Sequence, residues 1–197
     1  IAHFVKASNQ VLADVPQLRN ILDGRLRYGL SVKLDSQIIN GAGTGANMSG
    51  LTKSGNYTAF TPTTGESAID SINRAIASLE TNEAAPTLVL LNPVTWRSLQ
   101  RVKSGGSEEY LFGSPSGQNR ESIWNVEVLP TNAITAGKLL VIDAATLGEF
   151  YLRQDATIDV GFVNDDFTRN LVTIRGEMRG AVAVVRSEAV IYGDITQ

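Results

Sequence analysis

The stretch PQLRNILDGRLRYGLSVKLDSQIIN, residues Pro16–Asn40, reads as one long helix. Leu18, Leu22, Leu26, Leu30, Leu34 and Ile38 recur every fourth residue, a spacing that drifts slowly round a helix and winds an apolar stripe along it. Arg19, Asp23, Arg27, Lys33 and Asp35 fill other positions. Asp14 is placed to cap the first turn, and Pro16 sits where a missing N–H costs nothing. Gly41 offers a stop as the residue just beyond the helix. At 1.5 Å per residue the rod is roughly 37 Å long. A helix of that length in a small domain reads as a spine rather than a core packing unit.

Outward from it, residues 41–64 form a loop rich in Gly, Thr, Asn and Ser. Thr63 and Glu66 make a capping-box pattern ahead of a helix that presents Ile69, Ile72, Ile76 and Leu79 on one face. The continuous apolar run Thr87 to Leu91 has the length of a buried strand. Asn92-Pro93 then opens another helix, with Trp96, Leu99 and Val102 on its inner face. Tyr110, Leu111 and Phe112 are an apolar island in a polar, glycine-rich stretch. Beyond Trp124 the pattern turns to strands: Val126 and Val128 alternate, and Leu139 to Ile142 and Gly148 to Leu152 are apolar runs. Ile158 and Val160, Val172 and Ile174, Ala181 to Val185 and Ala189 to Tyr192 continue it. Helices early and strands late make the fold class α+β.

Composition removes whole classes of chemistry. With 43% apolar and 19% charged residues among 197, this is the composition of a folded chain. The net charge of -3 and the lack of a basic stripe argue against tight grip on nucleic acid, since each phosphate contact needs a cation. There is no cysteine, so no disulfide, thiolate nucleophile or cysteine-ligated zinc. The single histidine, His3, excludes His-pair metal sites and reads as structural or exposed. No apolar run approaches the ~20 residues that span a bilayer. The chain reads as cytosolic and suited to a reducing compartment, with no cofactor, metal or membrane implied. Its opening at Ile1 is expected to be a truncation, a processing site or an order boundary.

Two sets of residues invite sharper readings. Asn40-Gly41-Ala42-Gly43-Thr44-Gly45 has the glycines of a phosphate loop, but it follows a helix instead of a strand and lacks a Lys-Ser/Thr pair. It reads as a helix stop and turn. The acidic residues Glu108, Glu109, Asp165, Asp166 and Glu177 lack calcium-loop spacing. Asp165-Asp166 resembles an ordinary loop before a strand, and Glu108-Glu109 a solvated one. Trp96 and Trp124 fit amphipathic positions and are expected in the core. The residues alone therefore describe an α+β protein with no visible active site, of the kind that works by associating with other chains.

A resemblance sharpens this. Gln37-Ile38-Ile39-Asn40-Gly41 with Gly43-Thr44-Gly45 and Gly50-Leu51 is similar to a motif of the tailed-phage major capsid proteins of the Hong Kong 97-type family. So are Leu90-Leu91-Asn92-Pro93 with Trp96, and Tyr110-Leu111-Phe112-Gly113 with Pro115. Trp124-Asn125-Val126-Glu127-Val128 with Thr131 and Ala136-Gly137 follow, then Phe167-Thr168-Arg169-Asn170 with Thr173-Ile174, Glu177 and Arg179. Each motif is short; their order across essentially the whole chain carries the resemblance.

The resemblance implies a peripheral domain over residues 1–65, containing the spine helix 16–40, and an axial domain over 66–152. A β-hairpin over 153–178, centred on Ala156 to Met178, would belong to the peripheral domain, and 179–197 would return to the axial one. It implies a structural, non-enzymatic subunit that builds the icosahedral shell around phage or prophage DNA, in pentamers and hexamers of itself. The DNA would be enclosed without specific binding. Portal, scaffold and maturation protease would be further partners, the virion its location and the bacterial host cytoplasm its place of assembly. The family's N-terminal arm and extended loop would precede Ile1. A bacterial nanocompartment shell of the same fold is the alternative; the glycine–threonine loop and Asn-Pro-x-x-Trp favour the phage branch.

The resemblance also gives Asn170 and Glu177 possible roles. In the family's type member a lysine of the extended loop forms an isopeptide bond to an asparagine, assisted by a glutamate of another subunit. Asn170 matches the acceptor and Glu177 the base. A carboxylate in an apolar interface can hold a raised pKa and take a proton from the attacking ammonium. Seven residues apart on one regular strand, the two would face opposite sides, favouring action between subunits. The plainer reading makes Asn170 a turn or edge-strand polar group and Glu177 an interface salt-bridge partner.

Overall fold

The computed structural model describes residues 1–10, 16–104, 109–112 and 121–195. The chain runs β1 (Ala2–Ser8), α1 (Pro16–Asn40), β2 (Thr58–Phe60), α2 (Ala68–Thr81), β3 (Leu88–Leu91), α3 (Pro93–Gln100), β4 (Ser122–Ile123) and β5 (Val126–Pro130). It continues through β6 (Lys138–Ile142), β7 (Gly148–Gly161), β8 (Leu171–Val184), a 3-10 turn (Ser187–Ala189) and β9 (Val190–Asp194).

The spine helix α1 has the bounds its leucine spacing gives. Asp14, its expected cap, lies outside the described residues. Leu26 and Leu30 are fully buried, and Leu18 and Leu22 pack with Val5, Ala7, Ile158, Val172 and Ile174 of a three-stranded sheet. That sheet has the order β1-β8-β7, antiparallel throughout. Gly176, in mid-strand, lets the helix approach: a Cβ there would stand 3.1 Å from Leu30 Cδ1. The hairpin of β7 and β8 runs from Gly148 to Val184, past both ends of the stretch read from the sequence. Bulges between Leu152 and Thr157 let one strand absorb extra residues while the pairing continues.

The second sheet has six strands in the order β2-β9-β6-β3-β5-β4. Its central strands carry the main core: Val89 to Leu91, Leu139 to Val141, Val190 and Ile191 are buried. Such near-continuous apolar runs mark strands covered on both faces. Ile72, Ala75, Ile76 and Leu79 of α2 and Trp96 and Leu99 of α3 join this core. Asn92 accepts from the Val94 N–H, so the Asn-Pro start of α3 is a true cap.

Three local expectations are corrected. Glu66 does reach back to the Thr63 N–H at 2.9 Å, but α2 begins later, at Ala68, with Ser67 accepting from the Asp70 N–H as cap. Val102 lies beyond the end of α3 and is 36% exposed. Trp124 is 51% exposed, because it and Asn125 (φ +50° and +65°) form the two-residue turn between β4 and β5. Positive φ at both central positions is the geometry that matches strand twist in a tight hairpin. The indole Nε1–H donates to the Ile69 carbonyl from outside the core.

Gly41 ends α1 for a reason other than left-handed backbone, which Gly43 and Gly45 adopt instead. The chain folds back on the helix end. Leu51 and Thr52 N–H donate to the carbonyls of Ile38 and Ile39, and Met48 N–H to the Gln37 side chain. A side chain at Gly41 would collide with the Met48 carbonyl, and one at Gly50 with the Gly41 nitrogen. The loop thus satisfies carbonyls that a helix end leaves open.

Candidate functional site

The exposed end of the β7–β8 hairpin holds the residues with the sharpest expectations. Residues 162–170 turn the chain between the strands. Asp166 anchors this turn from inside, fully buried. Lys6 Nζ of β1 lies 2.6 Å from its Oδ1, Thr173 Oγ1 donates to Oδ2 at 2.6 Å, and the Val163 N–H donates at 2.9 Å. The Lys6 ammonium and the Thr173 hydroxyl hold the Asp166 carboxyl at about 2, outweighing burial, which pushes it up. Asp165 beside it is exposed and paired with Arg169. The two aspartates read together as one ordinary loop therefore differ: one is solvated, the other is the turn's internal tie. A partner 160 positions away leaves no local signal for this.

With the turn fixed, its apolar residues face outward. Phe162 and Phe167 meet edge to face at 5.8 Å and are 57% and 77% exposed. Val160 and Val163 are exposed beside them. The outer side of α1 carries Ile21, Tyr28 and Val32, also exposed, with Phe4 of β1 near by in sequence to His3. Exposed apolar groups in such number mark contact surfaces. His3 itself is exposed and lies against Gly29 of α1.

Asn170 is exposed, with a left-handed φ of +53°, and precedes β8 instead of lying on it. The expectation of two residues on one regular strand is corrected on this point, since left-handed backbone cannot continue a strand. The Asn170 carbonyl accepts from the Asn9 N–H, leaving its carboxamide on the surface. Glu177, half-buried on β8, pairs with Arg175 at 3.2 Å, which also reaches Asp159 at 3.3 Å. At about 3.3 Å per residue the two positions are roughly 23 Å apart along the chain. They do not meet within one subunit.

Elsewhere the candidates disperse. Glu108 lies outside the described residues; Glu109 is exposed, its carbonyl accepting from the Ser104 N–H. The residues 41–45 pack on the helix end as described above. Among the described residues no three His, Cys, Asp or Glu side chains converge as metal ligands, and no helix is long and apolar enough to cross a membrane.

A long helix thus lies on a three-stranded sheet, and a mixed six-stranded sheet carries the main core. A model of the phage capsid family matches residues 1–195. The major capsid protein of Enterobacteria phage HK97 is 36% identical over 195 residues, covering 98% of this chain and 50% of its own length. The chain thus spans about half the length of that curated relative. Among solved structures, the capsid of an empty GTA particle computed with C5 symmetry superposes with a TM-score of 0.78 at 16% identity, over all of this chain and 73% of that one. A structure from Mycobacterium phage Bobi gives 0.72 at 17% identity, over 98% and 70%. The chain belongs to the phage capsid family.

Proposed function

We propose that this protein is the structural subunit of a phage or prophage head, tiling an icosahedral shell around DNA. The observation that carries the reading is the 36% identity to a major capsid protein, which runs through both sheets and the spine helix. Exposed Phe167 at the hairpin end and Tyr28 on the outer side of α1 support it, because they leave apolar surface for neighbours to cover. The net charge of -3 suits a wall that encloses DNA without holding it. In this reading α1 with the three-stranded sheet is the peripheral domain. The six-stranded sheet with α2 and α3 is the axial domain, clustering about fivefold and quasi-sixfold axes.

The partners are copies of itself in pentamers and hexamers, in line with the fivefold symmetry used for the GTA capsid. Heterologous contacts of this kind close into rings. Portal, scaffold and maturation protease complete the assembly, which forms in the host cytoplasm and ends in the virion. Mass spectrometry of purified heads tests this: peptides of this chain as the dominant shell component support it, and their absence from DNA-filled particles overturns it.

Cross-linking is a second reading, favoured by the exposed Asn170 carboxamide. A lysine amine of another subunit attacks the side-chain carbonyl carbon, an amide forms, and ammonia leaves. Glu177 of a neighbouring copy takes the proton from the ammonium and passes it to the leaving amine. Denaturing gels of heads decide it. Ladders of linked subunits that vanish in Asn170→Asp support it, and single-subunit bands in mature heads exclude it.

A further inference from the structure

On α1 the side turned away from the sheet carries an apolar stripe of its own. Leu26 and Leu30 are buried on the inner side, while Ile21, Tyr28 and Val32, spaced by whole helical turns, share the outer one at 57%, 65% and 49% exposure. Two charged residues stand on the same outer side, Arg25 one turn after Ile21 and Asp35 nearly one turn after Val32. Both are exposed, and neither has a hydrogen-bond or ion-pair partner among the described residues. Asp23 and Arg27 of the same helix differ, since they pair with each other at 3.1 Å. Gly24 lies beside the stripe in open space: nothing stands within 4 Å of a Cβ built there. Tyr28 and Val32 also border a groove between α1 and β1, whose walls include Gly29 and Ser36.

We infer that this face of α1 is a self-complementary contact, in which the helices of two subunits cross antiparallel about a twofold axis at the level of residue 30. Turning the helix end for end about that level sets Tyr28 of one copy beside Val32 of the other, Arg25 beside Asp35, and Gly24 beside Ser36. Each pairing occurs twice, as an isologous contact requires. It joins apolar to apolar, cation to anion and small to small, and the small pair lets the axes reach the roughly 8–10 Å of packed helices. The charges that complement one another lie on one stripe of one chain, which commits the site to a second copy. The contact spans residues 24–36 and stops short of Ile39, where the helix enters the main core. This inference rests on the reading of the protein as a shell subunit. Rings of five or six close through heterologous contacts, so an isologous one joins a ring to its neighbour.

These 197 residues contain no cysteine, so single cysteines introduced among them report the register. Arg25→Cys and Asp35→Cys copies of the full-length gene product, co-expressed and oxidised, should form a disulfide between position 25 of one and position 35 of the other, identified by peptide mass. The twofold leaves the second Arg25–Asp35 pair of that contact intact. Links between like positions should be at least about tenfold rarer, because those lie roughly 15 Å apart along the helices, beyond disulfide reach. Arg25→Glu and Asp35→Arg should each keep the wild-type Tm and lower particle yield about tenfold or more, and the double variant should restore it. Like and mixed links in equal amount, or a double variant no better than the single ones, overturn the inference. Normal particles from both single charge variants overturn it as well and leave the shell reading standing. If the wild-type product builds no particles, the shell reading fails, and the mixed link in concentrated free subunits decides the contact: its presence upholds it and its absence overturns it.

Discussion

The Lys6 ammonium and the Asp166 carboxylate lie 2.6 Å apart, joining the first strand to the turn at the end of the β7–β8 hairpin. The carboxylate also receives the Thr173 hydroxyl and the Val163 N–H, so one buried group ties three segments together. Removing it leaves those donors facing a void, the costly half of a broken polar network. Asp166→Ala should lower the Tm clearly more than Asp165→Ala, whose side chain is exposed and paired only with Arg169. Equal shifts in thermal unfolding would contradict this.

Acid should weaken the same tie. Asp166 is held at about 2 against an ordinary 3.8, and Glu66 at about 2 against 4.5, the latter mainly by the Arg74 guanidinium. In that window the unfolded chain binds more protons than the folded one, so stability falls as pH falls. The contribution is complete above about 4.5 and lost on the way to about 2. Tm measured across this range should drop, and the drop should be shallower in Asp166→Asn.

Gly176 is the point where the spine helix rests on its sheet. Gly176→Val should push Leu30 and Leu26 away, at a cost of about 1–3 kcal/mol for overpacking. Leu139→Ala, in the other core, should cost about 2–5 kcal/mol by leaving a cavity. Urea unfolding reads both; a midpoint unchanged in either variant would contradict the packing described.

Much of this was legible in the sequence, and the reason differs from element to element. The leucine spacing fixed α1, because a helix advertises its buried side through its own period. The run at Leu88–Leu91 and the Asn92-Pro93 start were equally local signals. Trp124 misled because size and apolarity suggest burial, while the tight turn that exposes it is a backbone property of Trp124 and Asn125 together. β1 went unread: its residues pair with β8 more than 160 positions later, and its burial pattern is not alternating. The role of Asp166 was hidden by the same distance. Asn170 and Glu177 came from resemblance alone, and nothing in their spacing shows which copies would bring them together.

Exposed apolar residues should matter to association and little to folding. Tyr28→Ser and Phe167→Ser, at 65% and 77% exposure, should change stability by less than about 0.5 kcal/mol. Each should reduce the yield of assembled particles. Sedimentation of lysates separates the two effects, and a variant that lowers Tm as much as particle yield would contradict the assignment.

The central claim, that this is a shell subunit, is tested most directly by imaging the purified full-length gene product by electron microscopy, with its mass measured by light scattering. The account predicts closed shells or rings of five and six subunits. A product that stays monomeric at high concentration, with its portal and scaffold supplied, would contradict it.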